Sequence, residues 1–157
     1  MGSSHSYPKL SAFEKFTPFL KGLANDVKTP CEGFTIMQLG PFTEWVADEG
    51  DRTVGAALVL FESGSKHPQH QHKKSSAKIY FVSGSGYVIL GKEKIPVPYK
   101  KGTVVSVPRG MLHGFDVKEG GVALSIQEGG SIVSEDGTVD IHYPNDPQCA
   151  NTEAGIL

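Results

Sequence analysis

His70 and His72 stand one residue apart, and a third histidine, His113, follows a stretch punctuated by glycine and proline. Alternate side chains of a β-strand point to one face, so a His-x-His pair on a strand presents both imidazoles on the same side. A third imidazole from a neighbouring strand would complete one face of a transition-metal site. Turn residues frame the trio. Gly64 precedes the pair and Gly84 lies behind it, while Gly102, Pro108, Gly110 and His113 keep the spacing G-x5-P-x-G-x2-H. The chemistry expected of such a set is capture of one divalent metal by His70, His72 and His113.

This framework resembles the two motifs of the cupin superfamily. Motif one of that family reads G-x5-H-x-H-x3/4-E-x6-G, and Gly64, His70, His72 and Gly84 occupy its positions. Motif two reads G-x5-P-x-G-x2-H-x3-N, and Gly102, Pro108, Gly110 and His113 occupy those. The segment between the motifs, Ser85 to Lys101, is short, as in compact microbial cupins. The resemblance covers roughly residues 54–127. Two positions depart from it: Ala77 stands where the family has its glutamate ligand, and Val117 where it has asparagine. The resemblance implies an all-β fold, the double-stranded β-helix or jelly-roll barrel.

The elements that must position the histidines are legible as short runs. Strand-like segments fall at 34–39, 42–47, 54–61, 78–83, 87–90, 103–107 and 122–127, separated by glycine-rich or charged breaks such as Ser83-Gly84-Ser85-Gly86. Nineteen glycines and ten prolines among Val/Ile/Phe-rich runs suit an antiparallel β fold better than helices. A chain of 157 residues fits one domain, with residues 1–10 a loose leader, 54–127 the barrel core and 144–157 a polar tail. Phe13, Phe16, Leu20 and Leu23 recur at helical spacing, which predicts a short N-terminal helix from about Ser11 to Ala24, begun or disturbed by Pro18. Its apolar stripe suits packing on the barrel or on a second subunit, and a homodimer is expected.

Strand parity predicts the surroundings of the metal. With Ala77 inward, Ile79 and Phe81 share its face while Lys78 and Tyr80 point away. Counting from His113 turns Phe115 and Val117 inward. Ala77, Ile79, Phe81 and Phe115 are therefore the expected substrate-pocket residues, an apolar wall that also serves as barrel core. His67 has the opposite parity to His70 and is followed by Pro68, so a rim or surface place is expected for it. His5 and His142 fall outside the framework. Lys73-Lys74-Ser75-Ser76 reads as a solvated loop near the mouth.

Composition excludes some partners. A formal charge of −2 implies neither a nucleic-acid surface nor an anionic membrane patch. No apolar run approaches the roughly 20 residues of a spanning helix. The opening MGSSHSYPKL lacks the apolar core of a signal peptide, so a cytoplasmic chain is expected, with Cys31 and Cys149 as free thiols.

Three readings of function follow. Neutral imidazoles leave a divalent ion's charge uncompensated, so a chelating anionic substrate would supply what the missing glutamate does not. Three-histidine sites resemble those of cupin iron dioxygenases, which makes a mononuclear Fe(II) dioxygenase the first reading. The second keeps Zn, Ni or Mn as a Lewis acid for isomerisation, dehydration or lyase chemistry. That chemistry needs a proton carrier, and Ala77, Ile79, Phe81 and Phe115 supply none. Glu44, Glu62, Tyr80, Tyr87 and Gln127 have no assigned place relative to the site. The third reading is a non-catalytic cupin that binds a small ligand.

Overall fold

The computed structural model describes residues 25–27, 29–39, 42–134 and 136–144. The described residues form strands and turns with no helix. The expected helix from Ser11 to Ala24, the leader and all of the tail beyond Pro144 lie outside them.

The strands are β1 (Asn25–Val27), β2 (Phe34–Gln38), β3 (Phe42–Val46), β4 (Gly50–Phe61), β5 (Lys66–His70), β6 (Ser76–Phe81), β7 (Ser85–Leu90), β8 (Ile95–Tyr99), β9 (Val104–Val107), β10 (His113–Glu119) and β11 (Gly121–Glu128). They pair antiparallel into two sheets. The larger has the order β1-β2-β4-β11-β6-β9 with β3 added to β4, and the smaller has the order β5-β10-β7-β8. Neighbours in these orders are often distant in sequence, as a jelly roll requires.

The inner face of the larger sheet reads as successive rungs. Ile36, Val59, Ala123 and Phe81 lie side by side, followed by Gln38, Ala57, Ser125, Ile79 and Val105. Gly55, Gln127, Ala77 and Val107 form the next rung. Burial alternates along β6 as the parity argument predicts: Ala77, Ile79 and Phe81 are buried, Lys78 and Tyr80 exposed. Between the sheets Phe61 packs against Phe34, Phe81, Tyr99 and Phe115, with ring centroids 4.8 to 6.3 Å apart. Burying such a ring contributes on the order of 2 kcal/mol each, so this cluster anchors the two sheets.

Four strands escaped the sequence reading as named runs. β1 is three residues long. β5 and β10 carry the histidines and are broken by polar residues. β8, Ile-Pro-Val-Pro-Tyr, has two prolines, which argue against an interior strand. It lies at the edge of the smaller sheet, where a missing amide donor is tolerated.

One expectation is corrected. Cys31 is buried and disulfide-bonded, not a free thiol; Cys149 lies outside the described residues. A disulfide suits an oxidising compartment, so the thiols lend no support to a cytoplasmic location. No helix among the described residues is long and apolar enough to cross a membrane.

Candidate metal centre

The smaller sheet supplies His70 and His113, and the loop leaving it supplies His72. His113 opens β10 and pairs with His70, the last residue of β5; His72 follows two positions later in the loop toward β6. A bulge lies beside this pair. Phe115 pairs with His67, so two steps along β10 match three along β5. The extra residue overturns simple parity. His67 is therefore buried like His70, at 3 % exposure, and not on the rim as its odd spacing suggests. Gly114 permits the approach, since a Cβ there would lie 2.8 Å from the His67 carbonyl oxygen.

His70, His72 and His113 are all buried, and one ring nitrogen from each lies within 4.8 Å of the others. Their other nitrogens are engaged. His70 Nδ1 donates to the Pro68 carbonyl at 3.2 Å, His72 Nδ1 to the Asp140 carbonyl at 2.6 Å and His113 Nδ1 to the Met111 carbonyl at 3.0 Å. A carbonyl only accepts, so each Nδ1 carries the proton and each Nε2 keeps a free lone pair. Burial favours the neutral ring in every case. It lowers His70 and His72 from the ordinary imidazole value and brings His113 to about 3. Three lone pairs gathered in a buried place, with their tautomers fixed by backbone carbonyls, fit a divalent transition metal.

Two described stretches, 131–134 and 136–142, form a strap beside this centre, with Ile132 lining its cavity and Asp140 bonded to His72. Asp140 is its main fastening. Its carbonyl receives His72, and its carboxylate accepts the amides of Lys73 at 2.8 Å and Lys74 at 2.9 Å. Burial pushes the Asp140 carboxyl up, but these donors and His142 outweigh it and hold the group below its usual range. His142, outside the motif framework, bonds the Asp140 carboxylate through Nε2 at 3.1 Å and bridges Gln71 through its backbone. Beyond the strap, Tyr143 Oη lies 2.9 Å from His67 Nε2, and both rings contact His70.

A cavity of about 30 Å³ lies against the three histidines. Ile79 and Phe115, two of the four expected pocket residues, line it together with Ser125 and Ile132. Phe81 lies elsewhere in the core, stacked on Tyr99 at 3.8 Å. Ala77 is buried one rung further along, beside Gln127 and Val107. A groove of about 330 Å³ also runs along Lys78, Tyr80, Ser106 and Glu128, but it gathers no histidines and opens widely to solvent, so the chemistry belongs to the smaller cavity. Sequence reasoning missed His67, Asp140, Tyr143 and the inner-face position of Gln38. Only Gln38 had a usable signal, the alternation of Phe34, Ile36 and Gln38.

Residues 57–138, just over half of the chain, match the family described as Cupin domain. An RmlC-like cupin from Shewanella frigidimarina superposes with a TM-score of 0.53 at 20 % identity, covering 73 % of this chain and 89 % of its own. The polyketide cyclase RemF from Streptomyces resistomycificus gives 0.57 at 17 %, covering 82 % and 84 %. The nucleoside dehydratase Pac13 gives 0.54 at 16 %, covering 82 % and 93 %. At these identities the likeness is one of fold. No curated protein matches the sequence.

Proposed function

The chain belongs to the cupin domain family, and on that footing we propose that it is a metal-dependent enzyme acting on a small chelating anion, first of all a mononuclear Fe(II) dioxygenase. His70, His72 and His113 would hold the ion through Nε2. A bound ion would supply Lewis acidity and, as iron, one-electron redox chemistry. The observation that carries the proposal is a cluster of three neutral imidazoles with no carboxylate among its ligand atoms, Ala77 standing at the motif position of the usual glutamate. With no carboxylate at that place, the histidines leave both positive charges of the ion to be met by the substrate. Ile79 and Phe115 would keep bulk water away, and the backbone carbonyls of Pro68, Met111 and Asp140 hold the rings in their metal-ready tautomers.

A second reading, Lewis-acid chemistry with Zn, Ni or Mn, gains support from one observation. His67 and Tyr143 form a hydrogen-bonded pair in ring contact with His70, which puts an exchangeable proton beside the centre. Burial brings His67 to about 3 and raises Tyr143, so both are neutral near pH 7. A dehydratase and a cyclase among the similar folds agree with this reading.

Elemental analysis of untagged protein, followed by oxygen uptake with a panel of catechols, diketones and thiols, separates the two. Iron with oxygen uptake restored by Fe(II) supports the dioxygenase. Stoichiometric zinc, nickel or manganese without oxygen uptake supports the second. A protein that takes up no metal would leave only a ligand-binding cupin. A homodimer is also proposed, since the outer face of the larger sheet exposes Tyr80, Val82 and Val104. A monomer in sedimentation at micromolar concentration would remove that part.

A further inference from the structure

The inner face of the larger sheet carries two glutamines that nothing in the metal centre requires. Gln38 and Gln127 are 1 % and 0 % exposed. Among the described residues Gln38 Nε2, Gln38 Oε1 and Gln127 Oε1 have no hydrogen-bond partner, while Gln127 Nε2 donates to Ser125 Oγ at 2.6 Å. Buried amides left unpaired weaken a fold, and a site that keeps them is normally one that pairs them with something else.

Their place in the sheet says with what. Gln38 and Ser125 flank Ala57 in one rung, and Gln127 lies between Gly55 and Ala77 in the next. The residues between the polar groups are thus the smallest available, and Ser131 packs over Gly55 beside the Gln127 amide. Ser125 also lines the histidine cavity, so the polar rungs begin where that cavity ends. The cover over them is the strap. A Cβ on Gly55 would meet the Ser131 Cα at 2.6 Å and Gln127 Oε1 at 3.0 Å, and Ile132 lines the cavity alongside the histidines. At about 30 Å³ the cavity has room for an ion with a water, so an organic substrate would reach the amides only where Ile132 and Ser131 give way.

We propose that Gln38, Gln127 and Ser125 form the wall that recognises the substrate, and that this substrate is a chelating carboxylate bearing hydroxyl groups. The inference rests on the metal-centre reading and narrows its substrate class. The carboxylate end meets the metal's charge. A hydroxyl both donates and accepts through one atom, so a single substrate hydroxyl answers an unpaired amide Oε1 and an unpaired Nε2 together. A substrate lacking hydroxyls would leave the same amides buried and unpaired, and sites built to hydrogen-bond a hydroxyl discriminate strongly against its absence.

The test uses the full chain loaded with Co(II) and two probes of equal carbon number, D-gluconate and 2-hydroxyhexanoate, titrated calorimetrically. Gluconate should bind at least about tenfold tighter. Gln38→Met and Gln127→Met should each weaken gluconate by about tenfold while leaving 2-hydroxyhexanoate and Co(II) content unchanged. Equal affinity of the wild-type protein for both probes would overturn the proposal, whether or not the variants fold. So would variants that bind gluconate like wild type while melting higher, since the amides would then be only a structural burden. Either result with Co(II) held stoichiometrically leaves the metal centre standing. A wild-type chain that takes up no Co(II) removes the metal centre and this wall together.

Discussion

Asp140 grips the residues around His72 from two directions. Its main-chain carbonyl accepts the His72 Nδ1 proton at 2.6 Å, while its side chain takes the amides of the next two residues, Lys73 and Lys74. One strap residue thereby fixes both the ring and the loop that carries it. Outer partners of this kind are worth about 10- to 100-fold in metal affinity where they have been removed.

Asp140→Ala keeps the main-chain carbonyl that receives His72 but frees the loop carrying it, so metal binding should weaken by up to about 10-fold. Losing three bonds to a charged acceptor, from the Lys73 and Lys74 amides and His142, should also lower stability by about 2–4 kcal/mol. Chelator competition and urea denaturation measure the two effects. Loss of stability with unchanged metal affinity would show that the strap fastens the loop without orienting His72.

Tyr143→Phe removes the partner of His67 Nε2 and nothing from the metal cluster. A stability loss of about 1 kcal/mol is expected, with metal affinity unchanged. If the second functional reading holds, turnover falls in this variant while metal content does not. A drop in metal affinity would instead mean that His67 and Tyr143 help hold the ion.

Ala77→Glu returns a carboxylate to the motif position that lacks one. Ala77 is 4 % exposed, so the new group is destabilising by several kcal/mol in metal-free protein. Added metal should recover more stability than it gives wild type, and affinity for anionic probes should fall because the glutamate competes for the same charge. Melting temperatures with and without metal test this. Destabilisation that metal fails to rescue would mean Ala77 does not face the ion.

The histidine trio and the inward faces of β6 and β10 were legible because motif spacing and strand alternation are local rules. The bulge was not, since it comes from the pairing of β10 with β5, and it moved His67 from rim to core. Asp140 lies far from His72 in sequence, and only the folded strap brings them together. Gln127 could not be placed without knowing that β11 lies between β4 and β6. The disulfide at Cys31 was missed because two distant cysteines give no geometric signal.

The central claim, one divalent ion held by His70, His72 and His113, is tested most directly by titrating metal-free protein with Co(II). Wild type should bind one equivalent. His70→Ala, His72→Ala and His113→Ala should each lose at least about 10-fold in affinity, while His142→Gln, which keeps a donor for Asp140, should bind much as wild type does. Equal binding by His70→Ala and His142→Gln, or no saturable site in wild type, would contradict it.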